Sequence, residues 1–226
     1  MRTTKLLSVF AIIIMANMTA FAQKTKRTVS NNLADLITNN GFSTTNRQVS
    51  KLPQNEQNGV MLSADASEGI AWLNNVMFAN GTIEFDVRGK NVEQQSFVGI
   101  AFHGLTDTKT FDVVYFRPFN FMAADSVKRS HSVQYASHPM YPWQVLREKF
   151  NGQYENAIQP SPNPDKWFHV RIEVNYPQVS VFVNNSSKPT LSVKQLSDRK
   201  TGILGLWVGN NADGAFANLK LTSWPN

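Results

Sequence analysis

The stretch 167–185 reads WFHVRIEVNYPQVSVFVNN. Apolar side chains occupy every second position over 168–174 and again over 179–183, and Tyr176-Pro177 separates the two runs. A period of two is typical of β-strands that bury one face, while proline and paired asparagines are typical of turns. The stretch therefore predicts two successive strands separated by a turn.

The same alternation recurs in other parts of the chain. Three further sets of inward-facing residues are Ile83, Phe85 and Val87; Val98, Ile100 and Phe102; and Leu204, Leu206 and Val208. Many short alternating strands punctuated by turn residues predict an all-β sandwich of two packed antiparallel sheets. One short N-terminal helix is also predicted, with Ser30 as its N-cap and Gly41 as its stop, on the helical spacing of Val29, Leu33, Leu36 and Ile37.

The N-terminus is typical of an export signal. Arg2 and Lys5 precede the apolar run 6–15, and Ala20-Phe21-Ala22 supplies small residues at alternate positions for cleavage. The run is shorter than the roughly 20 residues that a membrane span requires. We expect a signal peptide over 1–22, an N-terminal extension over 23–55, a β-sandwich over 56–226, and a mature protein that is secreted or periplasmic.

Composition excludes several classes of protein. The chain has 226 residues and no cysteine, so disulfide scaffolds, thiolate metal sites and cysteine nucleophiles are excluded. Cleavage after residue 22 removes two basic residues and no acidic one, which lowers the net charge from +6 to +4. Because the remaining basic residues are scattered, neither a nucleic-acid partner nor a stable membrane span is predicted. The sequence does not determine the oligomeric state.

Several strands resemble those of concanavalin A-like domains. The stretch 167–185 is similar to the strand pair that precedes the closing strands of laminin-G-like domains, and 202–209 with 214–221 is similar to those closing strands. Residues 69–73 and 80–87 resemble the opening strands of secreted bacterial members, including 3-keto-glycoside hydrolase-like proteins. The resemblance implies a concanavalin A-like jelly roll. It leaves the chemistry open, since lectins, glycosidases and interaction modules share this fold.

One departure from that superfamily argues against a glucanase. Family-sixteen glucanases of this fold place three carboxylates on one strand face, one as nucleophile and another as acid/base. Glu84 and Asp86 have the matching spacing, but Arg88 or Gly89 occupies the third position. The motif is incomplete, and Glu84 and Asp86 are also typical of the polar face of a half-buried strand. No catalytic residue is assigned, although Asp112, Asp125, Glu148 and Glu155 are carboxylates that an enzyme would draw on.

The stretch 111–154 is rich in aromatic and basic residues. If Val114 and Phe116 point into the sandwich, Tyr115 and Arg117 point to the opposite face of the sheet, as does His103 by the same alternation. Pyranose rings pack on aromatic faces, and polar tips bind their hydroxyls. The predicted saccharide-binding residues are His103, Tyr115, Arg117, His131, Tyr135, Tyr141, Trp143 and Arg147. The alternative is that the aromatic side chains fill a second, minor core.

The segment 136–166 contains five prolines and is predicted to fold over the sheet edge as one wall of the site. His131 and His138 lack the spacing of a zinc site. Calcium occurs in many members of the superfamily, but Asp107, Asp198 and Asp213 form no dense acidic loop. No metal or cofactor is therefore predicted.

Three functions fit these observations. The first is a secreted carbohydrate-binding β-sandwich that recognises a glycan on a concave sheet face and its adjoining loops. The second is a glycoside hydrolase-like enzyme of the 3-keto-glycoside hydrolase-like kind, which loses turnover without Arg117, His131 or a loop carboxylate. The third is a laminin-G-like protein interaction module. Binding is the primary expectation because the stretch 111–154 lacks a carboxylate triad.

Overall fold

The computed structural model describes residues 27–224, so the predicted signal peptide lies outside the described residues. The first elements along the chain are β1 (Arg27–Asn31), α1 (Leu33–Thr38), β2 (Phe42–Thr45), β3 (Val49–Lys51), β4 (Gly59–Leu62), β5 (Gly69–Phe78), β6 (Gly81–Arg88), β7 (Val98–Gly104) and β8 (Phe111–Phe116). A 3-10 helix (Pro118–Asn120) follows, and then α2 (Ser126–Ser130), β9 (Val133–His138), α3 (Trp143–Lys149), β10 (Glu155–Asn156), β11 (Phe168–Asn175), β12 (Gln178–Val183), β13 (Leu191–Lys194), β14 (Gly202–Val208) and β15 (Gly214–Ser223).

The strands form two antiparallel sheets. The first has eight strands in the order β13-β12-β11-β6-β15-β4-β3, with β1 paired to β15. The second has seven strands in the order β10-β9-β8-β7-β14-β5-β2. The quoted stretch forms β11 and β12, which pair from Val170↔Val183 to Asn175↔Gln178. The all-β, two-sheet sandwich is therefore confirmed.

The main core lies between the sheets. It buries the alternating residues that the sequence assigned inward on β6, β7 and β14, together with Val114 and Phe116 of β8. Each fully buried Val, Leu, Ile or Phe side chain contributes about 1.5–3 kcal/mol relative to its exposed state. A second apolar cluster lies on the outer face of the seven-stranded sheet, where Leu146 of α3 packs with Phe111, Trp72 and their neighbours.

The N-terminal residues belong to the sandwich. β1 and β3 join the eight-stranded sheet and β2 joins the seven-stranded one, so the described part of the predicted extension 23–55 contributes strands to both sheets. The predicted short helix is present as α1, and Leu33 is fully buried in the main core. Its N-cap is Asn32 and not Ser30, because β1 extends through Asn31. Across residues 27–224, no helix is long and apolar enough to cross a membrane.

Candidate functional site

A cavity of about 670 Å³ lies on the outer face of the seven-stranded sheet. Side chains from β8 and β14 form its floor, and the segment 117–131 and α3 form its walls. The volume falls within the range of small-molecule sites, roughly 300–1,000 Å³. This face is therefore the candidate site.

One cross-strand row of residues explains the floor. In register across the sheet, Tyr115 of β8 pairs with Gly99 of β7, and Gly99 pairs with Trp207 of β14. The Tyr115 and Trp207 rings come together with centroids 4.9 Å apart. A Cβ atom on Gly99 would lie 2.2 Å from the carbonyl oxygen of Val114, so glycine is required there. Because Gly99 has no side chain, the two rings meet as the floor of the cavity, where they are largely buried, with 4% of Tyr115 and 5% of Trp207 exposed.

Arg117 lies beside this floor and is buried, with 5% of its surface exposed. Its Nη2 donates to the Tyr115 hydroxyl at 2.8 Å and to the Gln134 amide oxygen, and its Nη1 donates to the carbonyl of His131 at 2.8 Å. Its guanidinium also lies 4.9 Å from the centroid of the Tyr115 ring. Burial lowers the pKa of Arg117 and raises the pKa of Tyr115. The network fixes both side chains in one orientation.

The buried carboxylate of Glu155 contacts three side chains that line the cavity. Glu155 comes from the edge strand β10, where it pairs with Gln134, and its side chain is only 3% exposed. Its Oε2 lies 2.8 Å from His131 Nδ1, 3.2 Å from Arg147 Nη2 and 3.7 Å from Arg117 Nη1. A buried carboxylate with several cationic partners is held in place from several directions. Glu155 therefore positions His131, Arg147 and Arg117 around the cavity.

The helix α3 forms one wall. Pro142 takes the N-cap position, which suits a residue with no backbone N–H to donate, and Leu146 docks the helix on the second apolar cluster. Trp143 and Arg147 are four residues apart, so they share one helix face, and the guanidinium stacks 5.1 Å from the Trp143 ring centroid. Trp143 is 44% exposed and lines the cavity. The wall thus presents an accessible indole and a guanidinium.

Glu68 and His138 form another part of the lining. Glu68 Oε2 accepts a hydrogen bond from Trp207 Nε1 at 3.2 Å, and its Oε1 lies 3.7 Å from His138 Nδ1. The His138 ring stacks on Phe111 at 4.7 Å, and burial lowers the pKa of this histidine. These contacts place one accessible carboxylate beside the aromatic floor.

A buried arginine outside the cavity fixes this part of the lining. Arg47 Nη2 donates to the carbonyl oxygens of Ser67, Gly209 and Asp65 at 2.7, 2.8 and 3.2 Å. Its Nη1 donates to the carbonyl of Asn46. The guanidinium thus ties the turn before β5 to the turn after β14. Both turns contribute cavity-lining residues, Glu68 from the first and Asn210 from the second.

The structure brings five of the eight predicted binding residues together. The cavity is lined by Tyr115, Arg117, His131, Trp143 and Arg147. Part of the predicted segment 136–166 forms the wall, as α3.

Three predicted binding residues lie outside the cavity lining. Tyr135 pairs with Val114, which points inward, so it is fully buried in the main core and donates to Asp112 Oδ1 at 2.6 Å. His103 is fully buried beside Phe78, with Nε2 3.0 Å from the carbonyl oxygen of Ala79. Tyr141 packs on the second apolar cluster. The alternative of a second minor core therefore describes Tyr141 and also Tyr115, which is a buried member of that cluster, although Tyr115 lines the cavity as well.

The carboxylates considered for catalysis are dispersed. Asp112 is buried in the main sandwich beside Tyr135, Asp125 caps α2 by accepting from Val127 N at 2.8 Å, and Glu148 is exposed on α3. Glu155 is the one of these four that contacts cavity-lining groups.

Glu84 and Asp86 are not part of this cavity. They lie on β6 in the other sheet, where Glu84 pairs with Lys220 and Asp86 with His169. Their surroundings are those of the polar face of a half-buried strand.

Sequence reasoning missed several residues of the site. Three of them lie an even number of positions from a residue on the outer face of the same sheet, so alternation could have identified them: Phe97 with Gly99, Glu68 with Trp72, and Gln134 with Ala136. Glu155 carried no such signal, because β10 has only two residues. Among residues 27–224, no group of three or more histidines and carboxylates has the arrangement of a metal site.

No protein-family profile and no curated protein sequence matches the chain. Solved structures do match it. The carbohydrate-binding module CBM66 from Bacillus subtilis aligns with a TM-score of 0.57 at 15% identity, covering 80% of this chain and 95% of that one. A Bacillus subtilis protein of unknown function with a galectin-like fold aligns at 0.57 and 11% identity, covering 87% and 96%.

The exoplasmic/lumenal domain of VIP36, in a form bound to Ca²⁺ and Man3GlcNAc, aligns with a TM-score of 0.54 at 11% identity, covering 83% of this chain and 85% of that one. At such identities the likeness establishes the fold alone. The two antiparallel sheets and these structural neighbours show that the chain has a jelly-roll β-sandwich fold.

Proposed function

We propose that this protein binds a glycan in the cavity on the outer face of its seven-stranded sheet. The observation that carries the proposal is the group of aromatic rings in the cavity, with Trp143 exposed on the wall above the largely buried floor of Tyr115 and Trp207. Aromatic faces pack against the C–H faces of sugar rings. Arg147, His131 and Glu68 surround them with donors and an acceptor for hydroxyl groups.

The structural neighbours support the same function. One is a carbohydrate-binding module, and another holds Man3GlcNAc in its solved form. Their fold is shared by this chain, and its cavity has the polar and aromatic composition that sugar binding requires. Together with the N-terminal signal pattern, this favours a glycan-binding protein that is exported to the periplasm or beyond.

An oligosaccharide array tests the proposal. The protein lacking residues 1–22 is applied to a broad panel of poly- and oligosaccharides, and the strongest binder is then titrated by calorimetry. We expect saturable binding of at least one saccharide. An array on which no saccharide is retained by a folded sample would overturn the proposal.

A matched pair of variants locates the site. Gln144 and Gln153 are both exposed, but only Gln144 lines the cavity. Gln144→Trp places an indole in the cavity opening, so we expect the affinity for the strongest binder to fall at least fivefold. Gln153→Trp makes the same change outside the cavity and is expected to keep the affinity within twofold. Equal effects in the two variants would place binding elsewhere on the molecule.

One observation favours a second candidate function, a saccharide-processing enzyme. His131 Nδ1 lies 2.8 Å from the buried carboxylate of Glu155, at ion-pair distance but outside hydrogen-bond geometry, which places an imidazole and a carboxylate side by side at the cavity as candidate proton-transfer groups. An enzyme would release new low-mass saccharides, detectable by mass spectrometry, and His131→Ala would abolish them while the array signal persists. Binding without any product supports the first function.

A further inference from the structure

We propose that the saccharide bound in this cavity is acidic, and that its carboxylate lies against Arg147 and His131 at the end of the cavity above Glu155. This inference rests on the proposed glycan-binding function and specifies its ligand class as uronic acid-containing saccharides. At this end of the cavity, positive charges outnumber negative charges and hydrogen-bond donors outnumber acceptors.

The charges at this end do not cancel. Two guanidiniums, Arg117 and Arg147, converge on the single carboxylate of Glu155, and the side chains of Arg117 and Glu155 are 6% and 3% exposed. The other partners of Arg117 are neutral: a phenol, an amide oxygen and a backbone carbonyl. If Glu155 neutralises the buried Arg117, the charge of Arg147, whose side chain is 32% exposed, is left without a counter-charge of its own and is accessible to an anionic ligand.

Donors also outnumber acceptors here. Arg117, Arg147 and His131 all contact the same carboxylate from the cavity side, and both oxygens of Glu155 accept from Arg147. The amide nitrogen of the fully buried Gln134 has no hydrogen-bond partner among the described residues. A ligand that brings negatively charged acceptor oxygens to this end would complement the surplus.

The remaining charges around the cavity are compensated or distant in the sheet. Lys128 Nζ is paired with Glu93 at 2.7 Å and lies at the rim. Glu68 accepts from Trp207 and lies 3.7 Å from His138, at the opposite end of β9 from Gln134, the residue that pairs with Glu155. The acidic group of the lining is thus carried by a different part of the sheet from the surplus cations. This asymmetry favours one orientation for an acidic sugar.

Matched ligands test the inference. Oligomers of galacturonate, glucuronate and mannuronate are each titrated in native form and after reduction of their carboxyl groups to alcohols, so that each pair differs in charge. We expect at least one native oligomer to bind at least tenfold more tightly than its reduced counterpart, and the difference to shrink as salt is raised. Neutral oligosaccharides binding as tightly as native uronates would overturn the inference and leave the glycan-binding function standing. Failure of every saccharide, acidic or neutral, would overturn both.

Matched variants identify the cation. Arg147→Gln removes the accessible guanidinium, and we expect it to weaken uronate binding at least tenfold more than it weakens binding of the reduced oligomer, which loses only a hydrogen bond to a hydroxyl group. Lys149→Gln removes one exposed positive charge from the same helix outside the cavity and is expected to have no effect. Arg147→Lys keeps the charge and is expected to recover part of the affinity. Equal losses for native and reduced oligomers in a folded Arg147→Gln variant would contradict the charge argument.

Discussion

Tyr135 is buried in the main core, although the sequence predicted that it binds saccharide. Its hydroxyl donates to Asp112 Oδ1 at 2.6 Å and accepts from Leu196 N at 3.0 Å. Tyr135→Phe leaves the buried carboxylate without one donor, so we expect the free energy of unfolding to fall by about 1–3 kcal/mol. Urea unfolding measures this change. Saccharide affinity should stay within twofold, and lost binding at unchanged stability would instead place Tyr135 in the site.

Trp143 is expected to behave in the opposite way, because 44% of it is exposed on the wall of the cavity. Trp143→Ala should weaken saccharide binding about 5–10-fold, as one lost aromatic contact of about 1 kcal/mol implies. The melting temperature should move by no more than about 2 °C, since surface substitutions change stability little. Met77→Ala, at an exposed apolar residue outside the cavity lining, is the control. A large fall in melting temperature would assign Trp143 to the second apolar cluster.

At the scale of elements, the turns that carry Glu68 and Asn210 depend on Arg47. Arg47→Met keeps the side-chain length but leaves four carbonyl oxygens without their donor. We expect a loss of about 3 kcal/mol or more, given roughly 1.5–3 kcal/mol for one hydrogen bond to a charged group. Urea unfolding measures the total loss in the free energy of unfolding. Hydrogen exchange over residues 63–69 shows whether the turn before β5 opens before the rest of the protein. Unchanged exchange there would contradict a clamping role.

On strand β7, Gly99 lies too close to the neighbouring strand to carry a side chain. Gly99→Ala places a methyl group 2.2 Å from the carbonyl oxygen of Val114 and 2.6 Å from Tyr115 Cα, so backbone must move. We expect a destabilisation of about 1–3 kcal/mol, as for an overpacked core, together with a misaligned Tyr115. Thermal unfolding and saccharide titration should both change. A variant of wild-type stability would show that the sheet accommodates the side chain.

The period-two alternation made the strands and the two faces of the sheets predictable. It placed Tyr115 outward because Val114 and Phe116 had to be inward, and the structure agrees. The helix α3 was not predictable, because seven residues among prolines give too little helical periodicity, and its stability comes from docking Leu146. Tyr135 was misplaced because the register that opposes it to Val114 is a long-range property of the sheet. Glu155 reaches the site through tertiary packing alone.

At the scale of the whole molecule, buried histidines predict acid sensitivity. Burial lowers the pKa of both His103 and His138 below the ordinary value of 6.5. The unfolded chain therefore binds more protons than the folded protein below about pH 6.5, so stability is full above that pH and falls as the pH drops. The expected slope is at most about 1.4 kcal/mol per pH unit for each histidine.

Urea unfolding at pH 7.5 and pH 5.5 checks this pH dependence. The protein should be less stable at pH 5.5, and His103→Gln should reduce the difference between the two pH values. Equal or greater stability at pH 5.5 would contradict the assignment of these histidines as neutral buried groups.

The central claim is that a saccharide occupies the cavity on the outer face of the seven-stranded sheet. The measurement that tests it most directly is a crystal structure of the protein with the saccharide that binds most tightly on the array. We predict a sugar ring packed against Trp143 or against the floor of Tyr115 and Trp207, with a carboxylate of the sugar facing Arg147. A saccharide bound on the outer face of the eight-stranded sheet, or at a loop remote from these residues, would contradict the account.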